Sequence, residues 1–265
     1  MLDLLIQCWS RIILKSSIEL NSNALKMRKI LNEDSSSPID IFSLINNLKS
    51  VTLIFYPMSD RISGMCIREE SSKIIGINSN MSYGRQRFTV AHELYHLFFE
   101  KKFRSVICEK EIGESKLDSE KEADKFASYL LAPYDSLRNY LEENNILDNH
   151  KLTIEDVINM EQYYQLSHQA MLYRLASDGY CDWDTFENFK ISVSQKAIRL
   201  GYDDKLYKAS QEERKYFSVG EYVKKVEELK QKDLISNGKY EELMLNGFRA
   251  DIVYNLGNEG IELND

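Results

Sequence analysis

Histidine, cysteine and proline are scarce in this chain of 265 residues, which contains four histidines, four cysteines and three prolines. The cysteines stand at positions 8, 66, 108 and 181, and no two of them have C-x-x-C spacing. Four scattered thiols suit a reducing cytosol better than a disulfide framework. Long apolar runs are also absent, because no stretch approaches the ~20 apolar residues of a membrane span.

The first ten residues are apolar but are not typical of a signal peptide. Asp3 comes early, and the basic residues Arg11 and Lys15 follow the apolar run instead of preceding it. The sequence therefore favours a cytoplasmic protein. Its net charge is −8 with both signs well mixed along the chain, which argues against a nucleic-acid-binding surface. We expect no direct nucleic-acid binding and no membrane attachment, although an acidic protein can attract a basic protein partner.

Two of the four histidines belong to the most informative motif of the chain. His92, Glu93 and His96 form an H-E-x-x-H motif inside the apolar stretch 89–99, which predicts a buried helix. Residues four apart on a helix share a face, so the two imidazoles can bind one metal ion. Glu93 is then close enough to act on a water molecule at that metal. The pattern indicates a zinc hydrolase site, with a chance match as the alternative.

A zinc hydrolase needs a third protein ligand, and residues 117–133 are the candidate donor. This stretch predicts a helix whose two leading carboxylates, Glu120 and Glu122, lie about 200° apart around the axis. Glu120 shares a face with Asp124, which can accept a hydrogen bond from the far ring nitrogen of a zinc-bound histidine. We therefore expect Glu120 to be the ligand. The alternative is that these acids are solvated charges near a helix N-terminus.

Together these segments resemble the ImmA/IrrE metallopeptidases, which carry an R-x-x-F-T-x-A-H-E-x-x-H helix and an E-x-x-A-[ND]-x-F-A-x-x-L-L-x-P helix. The matching residues here are Arg85–His96, Glu120–Ala127 and Leu130–Pro133. The resemblance covers about residues 37 to 178. It implies zinc as cofactor, His92, His96 and Glu120 as ligands, and Glu93 as general base. It also implies a cytoplasmic endopeptidase whose usual substrates are helix-turn-helix repressors encoded nearby.

Tyr95 departs from the family pattern, which commonly has glycine between the motif's glutamate and its second histidine. A bulky ring there either narrows the site or fills core. The departure bears on substrate access rather than on metal binding.

The expected fold is α+β: a zincin-like metallopeptidase core with a small antiparallel sheet, mostly helices, and a helical C-terminal region. Three β-rich runs supply the sheet: Val51–Phe55, Ile62–Arg68 and Lys73–Asn78. A Ser-rich, Pro-closed run at 35–38 separates an N-terminal helical extension, residues 1–36, from the peptidase domain, residues 37–178. Residues 179–265 carry helical patterns at 183–200, 219–234 and 240–254, and form a helical domain of unassigned role.

Residues 151–178 read as helix, short turn and helix, an arrangement that DNA-binding units also use. Thr153 and Asp156 form a capping box, and Ser167 is the N-cap of the second helix. The second helix has one clear cation, Arg174, whereas a recognition helix needs several basic or amide side chains. We therefore interpret this segment as the closing helical pair of the peptidase domain.

The expected chemistry is metal-assisted peptide hydrolysis, in which zinc lowers the pKa of its bound water and polarises the scissile carbonyl. Glu93 takes the proton of the attacking water and passes it to the leaving amine. The tetrahedral oxyanion needs a donor besides zinc. Residue type alone suggests four candidates: Tyr83, Tyr95, Tyr134 and His168.

Three hypotheses follow from this ligand set. The first is a repressor-cleaving zinc endopeptidase, which the intact Glu93 favours. The second is a zinc-dependent module that binds a regulator without cutting it, as an anti-repressor or a component of a stress or toxin–antitoxin system. The third is a structural zinc site in which a fourth protein ligand, such as His150 or His168, takes the place of water.

Overall fold

A computed structural model of the chain describes residues 15–100, 105–109, 112, 117–146, 152–189 and 192–254. The predictions made for residues 1–10 and for His150 concern positions outside these ranges. The strands are β1 (Val51–Tyr56), β2 (Ile62–Arg68), β3 (Lys73–Asn78), β4 (Ser105–Glu109) and β5 (Phe217–Gly220).

The helices occupy most of the remaining described chain. They are α1 (Ser17–Leu31), α2 (Ile41–Leu44), α3 (Tyr83–Phe98), α4 (Asp118–Leu131), α5 (Tyr134–Glu143), α6 (Ile154–Tyr164), α7 (His168–Ser177), α8 (Trp183–Phe189), α9 (Ser194–Arg199), α10 (Glu221–Gln231), α11 (Asn237–Asn246) and α12 (Ala250–Val253). Short 3₁₀ turns lie at Ile45–Asn47, Lys205–Tyr207 and Glu212–Arg214. The α+β expectation is confirmed. None of the helices in the described ranges is long and apolar enough to span a membrane.

The sheet has five strands in the order β4-β2-β3-β1-β5, and it is mixed. Its three N-terminal strands lie where the sequence predicts them, but the expected antiparallel arrangement is wrong for one pair. β3 inserts between β1 and β2, so it runs parallel to β1 and antiparallel to β2. The continuous apolar run in β3 is typical of a strand buried on both faces, and it signals this central position.

Helix α3 lies in the middle of the fold, packed against β2 and β3 on one side and α4 on the other. Ser82 caps its N-terminus by accepting a hydrogen bond from the Arg85 backbone N–H. The residues from Gly84 to Leu97 are all buried, as the apolar stretch predicts. Arg87 anchors the helix from within, because its guanidinium donates to the carbonyls of Gln165 and Ile39.

Helix α1 belongs to the same core, although the sequence places it in a separate N-terminal extension. Leu20, Ala24 and Met27 are fully buried, and the helix packs along α4. The buried guanidinium of Arg28 donates to the Leu130 carbonyl and also to the carbonyls of Ser37 in the Ser-rich run and of Asp34 just before it. These bonds fix the run as an ordered turn. The domain boundary at residues 36–37 remains a prediction.

The C-terminal region is not purely helical, which corrects the sequence-based expectation. β5 pairs antiparallel with β1 and extends the sheet at the edge opposite β4. The sequence analysis did not predict this strand, because it has only four residues and is followed directly by α10. The helical patterns around it also divide into shorter helices, with 183–200 forming α8 and α9, and 240–254 forming parts of α11 and α12.

Helices α6 and α7 close the fold near the C-terminal end of α4. Thr153 and Asp156 form the expected capping box, and Ser167 caps α7. Arg174 is 1% exposed: it donates to the carbonyls of Ser128 and Ala132 and pairs with a neighbouring carboxylate. The one clear cation of α7 therefore has its charge buried inside the fold, away from any phosphate.

Candidate metal centre

The two histidines of the motif point at the same place because they stand one helical turn apart on α3. Their Nε2 atoms lie 3.1 Å from each other, and the residues are 6% and 0% exposed. The sheet and α4 enclose this face of α3, so the imidazoles are held in a protein interior rather than in solvent.

The third donor comes from the first turn of α4, as the sequence predicts. Glu120 Oε2 lies 3.2 Å from His92 Nε2, and Glu120 Oε1 lies 3.4 Å from His96 Nε2. Glu122 faces the other way: its carboxylate accepts hydrogen bonds from the Tyr95 hydroxyl and, at 2.7 Å, from the Lys15 backbone N–H. The structure thus brings Glu120, and not Glu122, to the two imidazoles.

The spacing of these donors fits a tetrahedral metal ion. Two ligands that each lie 2.0–2.1 Å from a tetrahedral zinc ion are about 3.3 Å apart. The three separations of His92 Nε2, His96 Nε2 and the Glu120 carboxylate are 3.1, 3.2 and 3.4 Å. Two imidazoles and one carboxylate are also the donor set of many catalytic zinc sites. The residues present therefore fit zinc.

Carboxylates hold the far nitrogen of each ring. His92 Nδ1 donates to Asp124 Oδ1 at 2.9 Å, and His96 Nδ1 donates to Glu100 Oε2 at 2.6 Å. Such bonds fix the tautomer and orient each Nε2 toward the shared ligand position. Asp124 is the residue that the sequence predicts for this task. Glu100 was missed; it lies just beyond the end of α3 at Phe98, and its spacing of four residues from His96 is the only signal in the sequence.

The carboxylates also set the protonation of His92, and His92 in turn sets that of Glu120. Burial opposes protonation of His92, but its hydrogen bonds with Asp124 and Glu120 outweigh that effect and raise the pKa of His92 to about 10. Burial likewise opposes ionisation of Glu120, and its bond with His92 more than offsets this and lowers the pKa of Glu120. Since a zinc ligand must be a neutral imidazole, metal binding near neutral pH displaces a proton from His92.

Glu93 is fully buried, and no N–H or O–H group of the described residues hydrogen-bonds its carboxylate, which lies near the buried thiols of Cys66 and Cys108. A buried carboxylate without such a donor is costly, so its retention beside the ligand atoms points to a role in chemistry. Gly64 on β2 makes room for it, since a Cβ there would lie 3.1 Å from Glu93 Oε1 and 2.5 Å from Thr89 Cγ2. The sheet therefore approaches the motif helix closely at this point.

Cys108 on β4 is a donor that the sequence analysis missed. Its Sγ belongs, with one ligand atom each from His92, His96 and Glu120, to a set whose members all lie within 4.8 Å of one another. Burial raises the pKa of the Cys108 thiol, and the nearby Glu93 and Glu120 charges raise it further. The only signal in the sequence was a cysteine in a β-rich segment after the motif, which does not identify a ligand.

Two of the four proposed oxyanion donors lie on α3 but not at the ligand atoms. Tyr83 begins the helix nine residues before His92, about 13 Å away along the axis, where its ring packs against Phe42. Tyr95 is 1% exposed, and its hydroxyl donates to Glu122 and accepts from Lys15 Nζ. The ring therefore fills core between α3 and α4. Of the two alternatives raised by the departure from glycine, the structure favours core filling over a narrowed site.

The other two candidates are also placed elsewhere. Tyr134 begins α5 beyond the end of α4, and that helix extends about 17 Å from Glu120 to Leu131. His168 bonds through Nδ1 to Glu161 and through Nε2 to the Phe189 carbonyl at 2.6 Å. Neither of them is among the grouped ligand atoms, so His168 also does not supply the fourth ligand considered for a structural zinc site.

An H-E-x-x-H helix packed on a mixed sheet, with a carboxylate from the following helix beside it, defines a zincin-like metallopeptidase core. Comparison with protein families agrees: residues 49–176 match the model described as Peptidase_M78, IrrE N-terminal-like domain. This match over residues 49–176 confirms the resemblance to the ImmA/IrrE metallopeptidases seen in the sequence. No curated protein matches the chain significantly.

Proposed function

We propose that this chain is a zinc-dependent endopeptidase that hydrolyses a peptide bond in a cytoplasmic protein. One observation carries the proposal: His92, His96 and Glu120 converge at the spacing of a tetrahedral zinc site, with the buried carboxylate of Glu93 beside them. A structural role alone gives no reason for a buried carboxylate to lack an N–H or O–H donor among the described residues.

Each residue of the site has a separate role in the proposed reaction. His92, His96 and Glu120 hold the metal, and Asp124 and Glu100 orient the two imidazoles. Zinc, when bound, supplies Lewis acidity that activates water and polarises the scissile carbonyl. Glu93 accepts the proton of the attacking water and delivers it to the leaving amine.

We propose a helix-turn-helix repressor as the substrate. The support is the family resemblance, since ImmA/IrrE peptidases usually act on such repressors, and the net charge of −8, which suits a basic DNA-binding partner. Direct nucleic-acid binding by the chain itself is not part of the proposal, because the cation of α7 is buried.

The test is incubation of the zinc-loaded protein with a helix-turn-helix protein encoded by a neighbouring reading frame. Mass spectrometry then locates any new termini. We expect one peptide bond to be cut by the wild type, and about 10²–10⁴-fold more slowly by Glu93→Gln, which keeps the shape but not the base. Equal cutting by Glu93→Gln at unchanged zinc content would contradict the role of Glu93.

The burial of the centre favours a second candidate, a zinc-dependent module that binds a regulator without cutting it. His92, Glu93 and His96 are 6%, 0% and 0% exposed, so a peptide has little access to these side chains in this structure. A stable complex with the same neighbouring protein, unaffected by Glu93→Gln and yielding no fragments, would favour this candidate over the peptidase.

A further inference from the structure

Strand β4 places a cysteine against the metal centre. β4 is an edge strand that pairs antiparallel with β2, and Cys108 stands opposite Gly64. Side chains alternate between the two faces of a strand. Ile107 accordingly points outward and is 62% exposed, whereas Cys108 points inward and is 2% exposed.

A local irregularity in β2 fixes this position. The register between β2 and β4 shifts between Ile62 and Gly64, which leaves Ser63 as an extra residue in the bulge. Ser63 Oγ donates to the Cys108 carbonyl at 3.3 Å. Bulges commonly re-aim a side chain beside an active site. Here the bulge and the hydrogen bond hold β4 so that the thiol faces the motif helix.

The thiol completes a four-donor set. Its Sγ lies within 4.8 Å of the ligand atoms of His92, His96 and Glu120. In a tetrahedral zinc site, a sulfur ligand at 2.3 Å lies about 3.6 Å from a nitrogen ligand, so a shift of roughly 1 Å suffices for coordination. Independently, both oxygens of the fully buried Glu93 lack an N–H or O–H partner among the described residues, and this carboxylate lies near the same thiol.

We propose that Cys108 is a fourth, displaceable ligand that closes the metal centre and holds the peptidase activity below that of the open site. This inference rests on the proposed function and concerns its regulation. A catalytic zinc site has three protein ligands and one position for water, whereas four protein ligands make a closed site. When the sulfur–metal bond forms, the thiol proton passes to solvent. When the bond breaks, both electrons stay on sulfur, which takes a proton back.

The fold provides a way to release this ligand. Among the described residues, β4 is hydrogen-bonded to the sheet through β2 alone, and it is five residues long. An edge strand offers its free side to another extended chain. Movement of β4 away from α3 removes Cys108 from the metal while His92, His96 and Glu120 stay in place on α3 and α4. Opening the centre therefore does not require unfolding of either helix.

The test is the absorption spectrum of the full-length protein loaded with Co²⁺ in place of zinc. A thiolate ligand gives an intense sulfur-to-cobalt charge-transfer band in the near ultraviolet, and imidazole and carboxylate ligands do not. We expect the band in the wild type, its loss in Cys108→Ala, and one bound cobalt per chain in both. Cys66→Ala is the matched control, because Cys66 is a 1% exposed thiol on the neighbouring strand and is outside the grouped ligand atoms. It should keep the band.

The outcomes separate this inference from the proposed function. One bound cobalt per chain without the band in the wild type overturns the role of Cys108 and leaves the peptidase proposal intact. Loss of the band in Cys66→Ala but not in Cys108→Ala also overturns it. No binding of cobalt or zinc overturns both proposals. The wild-type spectrum decides the question even if Cys108→Ala fails to fold. Where the variant folds, we expect it to cleave at least tenfold faster than the wild type.

Discussion

The metal cluster of His92, His96 and Glu120 and the helical cluster of His168 and Glu161 are both buried sets of histidine and carboxylate. In the helical cluster, every polar atom is used within the fold: His168 bonds to Glu161 and to the Phe189 carbonyl, and Tyr207 donates to the second Glu161 oxygen at 2.9 Å. In the metal cluster, the Nε2 atoms of the two histidines face each other and the Glu120 carboxylate, and no N–H or O–H group of the described residues hydrogen-bonds Glu93. The convergence of several ligand atoms on one point, and not the residue types, distinguishes a site from a structural pair.

The largest expected effect separates two carboxylates on α4. Glu120→Ala should abolish stoichiometric zinc binding, because it removes a ligand. Glu122→Ala should keep one zinc per chain and lose only stability, because Glu122 bonds to Tyr95 and Lys15 instead. Elemental analysis of protein purified without chelators measures both. Equal zinc content in the two variants would mean that Glu120 is not the third ligand.

The helical cluster should respond in stability and not in metal content. Glu161→Gln breaks the ion pair between this fully buried carboxylate and the largely buried His168, and should lower the free energy of unfolding by about 3 kcal/mol. Zinc content should stay at one per chain. Chemical denaturation measures the stability, and elemental analysis measures the zinc content. Loss of zinc without loss of stability would contradict the prediction, because it would show that the helical cluster affects the metal cluster.

The same pair predicts a pH dependence with a definite sign. Burial raises the pKa of Glu161, and the Glu161 carboxylate raises the pKa of His168 against the opposing effect of its burial. Raised values mean that the folded state binds more protons than the unfolded state, so stability falls as pH rises. The His168 contribution is fully present below its ordinary pKa of about 6.5 and is lost as the pH rises through the raised value.

Thermal unfolding of the zinc-loaded protein between pH 6 and 9 measures this contribution, since bound zinc prevents titration of His92. We expect the melting temperature of the wild type to fall above pH 6.5 and that of Glu161→Gln to fall much less. Parallel curves for the two proteins would refute the assignment of the slope to this pair.

Asp124→Asn should have a smaller effect on the metal cluster. The side chain still accepts a hydrogen bond from His92, but it no longer carries the charge that makes the imidazole a better ligand. We expect zinc affinity to fall about 10–100-fold, which a competition titration with a chromophoric chelator measures. Unchanged affinity would limit Asp124 to a packing role.

Tyr95→Phe should have the smallest effect. It removes the hydroxyl that joins Lys15 to Glu122 and should lower the free energy of unfolding by about 1–2 kcal/mol. Zinc affinity should not change, because the ring lies in the core rather than at the ligand atoms. A tenfold change in zinc affinity would place Tyr95 in the site after all.

Most of the candidate site was predictable from the sequence because its spacing is local. The i,i+4 pairs of His92 with His96 and of Glu120 with Asp124 depend only on helical geometry. The same is true of the capping box at Thr153, which appears as predicted. The same spacing of four residues separates Glu100 from His96. The oxyanion donors could not, because residue type gives no distance from the metal.

The sequence by itself determined which two helices carry the candidate metal ligands and which face of each helix presents them. These properties follow from helical periodicity over a few turns, whereas the family resemblance came from the motifs themselves. Only the tertiary structure decided that β3 lies between β1 and β2, that β5 completes the sheet, and that Cys108 comes within 4.8 Å of the metal ligands. Strand pairing joins residues far apart in the chain, and the short-range pattern of a strand does not specify its neighbour.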